Sequence, residues 1–261
     1  MGMQLGVQPL LLAPGEGETT TDRPAKMLRI LGEFEQVIVT WFRYAPGEDG
    51  PEPHVHHTHS DAFYVLEGEV DFGLGPEVTR ISGGPGAFVA APPDVVHTFR
   101  NSSADTAIFL NMHAPSAGFG DLLRGRNEHF DQFDPPDDGG RPLSDAVAAL
   151  PGEGEPVVRE TTSHLIKGVL PDLSVFEMTF APEFEGVDPH THDDLVDAFY
   201  VLDGQVDFVV GDDVRRACPG SFLAAPPGAR HGFSNPGPEP LRVLNIHAPD
   251  AGFATRLKQP F

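Results

Sequence analysis

The chain has 261 residues, enough for one large or two ordinary domains with buried cores. Its 39 acidic against 17 basic side chains give a formal charge of −22, which repels phosphate backbones and anionic lipid and argues against nucleic-acid and membrane-surface roles. The single cysteine, Cys218, excludes an intrachain disulfide framework, and 29 glycines and 27 prolines fall in short bursts between apolar runs, as tight turns do.

At the N-terminus, "MGMQLGVQPLLLAPGEGE" has no basic region and too short an apolar run for a signal peptide or a membrane span, so a cytoplasmic protein is expected. Residues 1–13 read as an apolar arm that packs on its own domain or across a homodimer interface. Short runs of branched and aromatic residues follow, bounded by Gly, Pro, Asn or Asp: "EQVIVTWFRY" (35–44), "AFYVLEGEVDF" (62–72), "GAFVAAP" (86–92), "VVHTFRN" (95–101) and "TAIFLNMH" (106–113). These are strand signals, and their regular spacing predicts an all-β sandwich or barrel. The acidic, turn-rich "FDQFDPPDDGGR" (130–141) reads as linker, and "RPLSDAVAAL" (141–150) is the main helical candidate, with Ser144 or Asp145 as N-cap and a stop at Pro151-Gly152.

Beyond the linker the chain is written a second time. "PHVHHTHSDAFYVLEGEVDF" (53–72) returns as "PHTHDDLVDAFYVLDGQVDF" (189–208), "AAPPDVVHTFRN" (90–101) as "AAPPGARHGFSN" (224–235), and "NMHAPSAGF" (111–119) as "NIHAPDAGF" (245–253). The expected organisation is a domain over 1–124, a linker over 125–150 and a second domain over 151–261.

Residues i and i+2 of a strand share a face, so His54 and His56 project together, as do His190 and His192. Asp61 and Asp197 each follow five residues after the second histidine, and His97 and His231 lie in later strands. Three imidazoles and a carboxylate suit a divalent transition metal, with Fe, Mn, Ni, Cu and Zn all compatible and up to one ion per domain. His57, His59, His129 and His164 have no counterpart in the other copy and read as surface or loop residues, with His57 or His59 the weaker choice as a substitute ligand. By strand parity Phe63 and Val65 accompany Asp61, and Phe99 and Asn101 accompany His97. Phe199 and Val201 stand likewise with Asp197, and Phe233 and Asn235 with His231. They either line a cavity or pack as core. His113 and His247, on the last strand of each copy, are candidates for a place beside the metal.

The histidine segments, taken with "PGAFVAAPPDVVHTFRN" and "PGSFLAAPPGARHGFSN", resemble the two sequence motifs of the cupin superfamily, once per domain. The second copy matches the second motif through Gly220, Pro226, Gly228, His231 and Asn235. The first matches through Gly86, Pro92, His97 and Asn101, with Asp94 where Gly is usual. Both copies carry Asp, at 61 and 197, where the family usually has Glu. The resemblance implies a bicupin: two tandem double-stranded β-helix (jelly-roll) barrels joined by a linker with a short helix, each with a metal inside its mouth. Its style is closest to the quercetin-dioxygenase-like group. That implies a metal-dependent dioxygenase acting on a small phenolic or enolic substrate, with Asp61 or Asp197 taking a proton. A non-redox isomerase or decarboxylase and a non-catalytic small-molecule binder stand as alternatives.

Overall fold

The computed structural model describes residues 7–259, so the first six residues of the apolar arm lie outside the described residues. Two compact units divide the chain: Gly17–Gly154, and the segment up to Glu16 together with everything from Glu155 onward. The first unit has a seven-stranded antiparallel sheet in the order Val147–Ala149, Phe88–Ala91, Ser60–Glu67, Ala107–Ala114, Ile38–Tyr44, Lys26–Glu33, Glu18–Asp22. Its second sheet runs Thr79–Gly83, Val70–Leu74, His97–Arg100. The other unit repeats the plan, with Leu10–Leu12, Phe222–Ala225, Val196–Asp203, Leu241–Ala248, Ser174–Phe180, Thr162–Val169 and Glu155–Val158 in the large sheet. Val187–His190, His231–Ser234, Val206–Val210 and Asp213–Ala217 form the small one. Each unit is a jelly-roll pair of sheets; among the described residues no ladder joins one sheet to the other into a closed barrel.

Strand parity lays a polarity gradient along each interior. In the first unit Val65 pairs opposite Phe109, Phe63 opposite Asn111 and Asp61 opposite His113. The inner face of these two central strands therefore runs from wholly apolar at one end to polar at the other. Phe63, Phe72 and Phe109 are almost fully buried, and Phe63 meets Phe99 at 4.8 Å between ring centroids. Burying each such side chain contributes about 2–3 kcal/mol, so the aromatic end anchors the strands whose other ends carry the histidines.

Two segments depart from expectation. Residues 141–150 do not form a helix: a 3₁₀ turn covers Leu143–Asp145, and Val147–Ala149 pairs as a strand with Phe88–Ala91. A segment this short is marginal as an isolated helix even when rich in alanine, and an open sheet edge offers "AVAA" backbone partners that an isolated turn of helix lacks. The helices are instead Phe119–Leu123 and Phe253–Leu257, just after each "HAP". In the same way Leu10–Leu12 pairs with Phe222–Ala225 and belongs to the second unit, although the arm precedes the first copy. The segment ahead of each "PGEGE" thus supplies an edge strand to the sheet of the other copy. No helix among the described residues is long and apolar enough to cross a membrane.

Candidate metal centres

His54, His56, Asp61 and His97 converge in the first unit, and His190, His192, Asp197 and His231 in the second. Within each group the nearest nitrogen and oxygen atoms lie within 4.8 Å of one another. In the first unit His54 is held by a bridge to His97, with backbone bonds of 3.0 and 2.9 Å in the two directions. In the second unit the matching residues also pair, His190 opposite His231, at the end of a ladder whose register shifts between Val187 and His190. Asp61 and Asp197 start their strands on the inner face, where His113 and His247 sit opposite. All four residues of the first group are buried, whereas His190 and His192 are half-buried.

The rings are oriented from behind. His54 Nδ1 donates to the Glu52 carbonyl at 2.8 Å, His97 Nδ1 to Val95 at 3.0 Å, and His56 Nδ1 to the Asp131 carbonyl. His190 and His231 donate likewise to Asp188 at 2.9 Å and Ala229 at 3.0 Å. With the proton on Nδ1, each Nε2 presents a lone pair to the centre. Burial and the neighbouring His97 push His54 down to about 3, so its ring is neutral. Burial works to raise Asp61, but the surrounding imidazoles of His113, His56 and His97 outweigh it and hold the carboxyl well below its usual range; Asp197 is depressed in the same way by His247, His192 and His231.

These features leave acceptors facing acceptors. His97 Nε2 lies 3.2 Å from Asp61 Oδ2, and His231 Nε2 3.2 Å from Asp197 Oδ2, although both rings have already placed a proton on Nδ1. His56 Nε2 and His192 Nε2 are buried without any hydrogen-bond partner. A proton on His97 or His231 relieves one contact and leaves the orphan nitrogen. A divalent ion with ligand bonds of about 2.0–2.2 Å satisfies all of them at once after small adjustments. The residues fit a bound metal in both units.

Around the first group lies a second layer of bonds. Asn111 Nδ2 donates to Asp61 Oδ1, and Asn245 Nδ2 to Asp197 Oδ1 at 2.6 Å. His113 Nε2 donates to Asn111 Oδ1 at 3.1 Å, and its Nδ1 meets His59 Nε2 at 2.9 Å. His59 is fully buried, with Nδ1 donating to Asp131 Oδ2 at 3.0 Å. Burial pushes His59 down to about 4 and His113 well below the ordinary histidine range. His59 lies in the loop before Ser60–Glu67, as its missing repeat partner implied, but it is buried and not at the surface; at its position the second copy has Leu195, and there His247 Nδ1 is left unpaired. His56, His59 and His113 form a further close donor group, but His56 is already committed on Nδ1 and, through Nε2, to the first centre.

His57 is exposed, bonded to Asp94 at 2.5 Å and stacked on Phe133, and His129 is exposed. His164, expected at the surface, is only 8% exposed, and its Nδ1 lacks a partner. Phe99 lines a cavity of about 280 Å³ that opens on His54, His56, Asp61 and His113, with Lys26, Tyr44 and Gln132 also on its wall. Phe63 packs in the core against Phe72 and Phe109, and Phe199 and Phe233 pack against Phe208 and Phe180. Asn101 and Asn235 are loop staples: Asn101 donates to Tyr44, Ala45 and Asp105 carbonyls at 2.7–3.1 Å, and Asn235 to Ala181 and Glu239 at 2.9 and 2.8 Å. Asp94 adopts φ 66°, where Gly228 has φ 78°, and each donates its N–H at 2.7 Å to the carbonyl of the second histidine, His56 or His192. That left-handed turn explains why glycine is usual there; aspartate tolerates it better than most side chains.

The family model described as a cupin domain matches residues 40–113 and again 176–247. Among solved structures the chain is similar to the glyoxylate-induced protein of Pseudomonas aeruginosa, at 16% identity over 94% of this chain and 92% of that one, with a TM-score of 0.68. It is also similar to protein YlbA of E. coli, at 15% identity over 94% of both chains and a TM-score of 0.68. A variant of Bacillus subtilis oxalate decarboxylase matches at 16% identity over 95% of this chain and 78% of that one, with a TM-score of 0.63. No curated protein matches. At these identities the likenesses establish a shared fold.

Proposed function

The chain belongs to the cupin domain family, and from that premise we propose that it is a metal-dependent enzyme acting on a small organic anion in the cavity of its first unit. One observation carries the reading: a buried carboxylate faces the Nε2 atoms of His56 and His97, both of whose rings donate from Nδ1 elsewhere, an arrangement that a bound cation completes. A divalent ion held by His54, His56, His97 and Asp61 supplies Lewis acidity and, if redox-active, electron transfer. The first unit is favoured because three of its donors, His54, His56 and Asp61, line a cavity. The cavity of about 800 Å³ in the second unit is walled by His164, Phe180, Phe184 and Phe253 among others, but by none of that unit's four donors.

Lys26 gives the cavity a cation. It lies 4.4 Å over the Tyr44 ring and 3.5 Å from Glu48, placed to receive a substrate carboxylate or enolate. Asp61 is the one buried carboxylate on that wall and is ionised, so it holds or receives a substrate proton. The reaction we favour is oxygen-dependent cleavage of an enolisable acid. Decarboxylation without net oxidation is the second reading, supported by a cavity at the small end for ligand sites, which suits a compact acid better than a polycyclic phenol. The solved structures similar to this chain include oxalate decarboxylases.

Metal analysis of the wild type beside His54→Ala/His56→Ala tests the centre: close to one ion per copy is expected in the wild type, and a folded, metal-free wild type after loading refutes it. Oxygen-electrode and CO₂ assays on small enolisable and dicarboxylic acids then separate the two reactions. Substrate loss with oxygen uptake supports the first, and CO₂ release without net uptake supports the second.

A further inference from the structure

One contribution to the first centre comes from outside the repeat. Residues 130–133 lie in the segment between the copies. The Asp131 carbonyl accepts the Nδ1–H of His56. Its carboxylate gathers donors from three consecutive residues just after that ring: His57 N at 3.1 Å, Thr58 N at 2.8 Å with Thr58 Oγ1, and His59 Nδ1 at 3.0 Å. Val55 and Phe133 exchange backbone bonds of 3.0 Å in both directions. Phe130 covers the rings of His56, His59 and His113 at 5.2–5.5 Å.

In the second copy His57 and His59 are replaced by Asp193 and Leu195, and no counterpart of the Asp131 bond holds His192 among the described residues. The His192 side chain is 23% exposed, against 2% for His56. The two centres share ligand types and fold, and they differ in whether the second histidine is oriented from behind.

Building on the metal reading above, we infer that Asp131 is the positioning residue of the first centre, and that the segment between the copies makes this centre the tighter of the two. Outer bonds that fix a ligand ring typically change metal affinity 10- to 100-fold. The clamp acts by preorganisation: the loop carrying His56 is ordered before the cation arrives, so less conformational freedom is lost on binding.

The test is Co²⁺ titration of the full chain, followed by visible absorption with a competing chelator. The first centre is read in a His190→Ala/His192→Ala background and the second in a His54→Ala/His56→Ala background. The first centre is expected to bind at least tenfold more tightly than the second. Asp131→Ala weakens the first centre 10- to 100-fold and alters its Co²⁺ spectrum. Asp131→Asn, which keeps one acceptor oxygen, falls between, and the second centre is unchanged by either. Unchanged first-centre affinity in Asp131→Ala, or equal weakening of both centres with a lowered Tm, overturns the inference. Should Asp131→Ala fail to fold, Asp131→Asn and the comparison of the two parent backgrounds decide, and equal affinities there overturn it as well. A wild type that binds no Co²⁺ defeats the metal reading itself, an outcome distinct from Co²⁺ binding that ignores Asp131.

Discussion

Replacing His164 with leucine should stabilise the second unit, and more so in acid. The repeat supplies the control, because the equivalent strand position in the first copy is Leu28, a buried core residue. His164 is 8% exposed, its Nδ1 is buried without a partner, and its Nε2 reaches only Thr162 Oγ1 at 3.2 Å. An unsatisfied buried polar atom costs about 1–3 kcal/mol, and the lost Thr162 bond returns about 0.5–1.5 kcal/mol of that, so the gain near pH 7 is about 1 kcal/mol. Burial, with the nearby Arg159 charge, pushes His164 from 6.5 down to about 4. A histidine depressed on folding binds its proton more readily when unfolded. Its contribution is therefore fully present above about pH 6.5 and is lost as pH falls toward 4. At pH 5 that loss is roughly 2 kcal/mol by linkage. The advantage of His164→Leu should rise from about 1 kcal/mol at pH 7 to about 3 kcal/mol at pH 5. Urea unfolding followed by fluorescence and calorimetry at both pH values reads it. A variant less stable than wild type at pH 7, or an advantage that does not grow in acid, refutes the reasoning.

Chelation should lower Tm in the wild type and far less in a variant with both histidine pairs replaced by alanine, because a ligand that binds only the folded state stabilises it by mass action; equal Tm shifts in differential scanning fluorimetry contradict this. Burial works to lower His231, but the bond to Asp197 and its charge outweigh it and raise the ring above the ordinary histidine value. A proton then competes for that nitrogen, so Co²⁺ affinity at the second centre should fall as pH drops through the raised value, and a flat titration series between pH 8 and 6 counts against it. Lys26→Ala should raise KM for an acidic substrate about tenfold, the worth of one charge-assisted hydrogen bond, with kcat less affected. A change confined to kcat rejects Lys26 as the carboxylate anchor.

Both donor sets were legible because they are written twice in segments of alternating pattern. Strand parity puts His54 with His56 and His190 with His192, and a recurring offset attaches Asp61, His97, Asp197 and His231 without any knowledge of the fold. The same parity pointed to Phe63, Phe99, Phe199 and Phe233 as facing inward. It could not say how far along the interior each lies, and only Phe99 reaches the cavity wall. Repeat logic also discarded His59 and His164, since a residue present in one copy carries no such mark, yet both are buried.

Local sequence determines the period, the turns and the ligand types, all of which depend on neighbours a few residues apart. Only tertiary structure decides which sheet edge receives Leu10–Leu12 and Val147–Ala149, because an edge accepts any strand that brings free backbone groups to it. It likewise decides that Asp131, about seventy residues from the histidines, closes over one centre and leaves the other half open. A hydrogen bond to a backbone carbonyl leaves no trace in residue type, so the feature that makes the two copies unequal is invisible until the chain is folded.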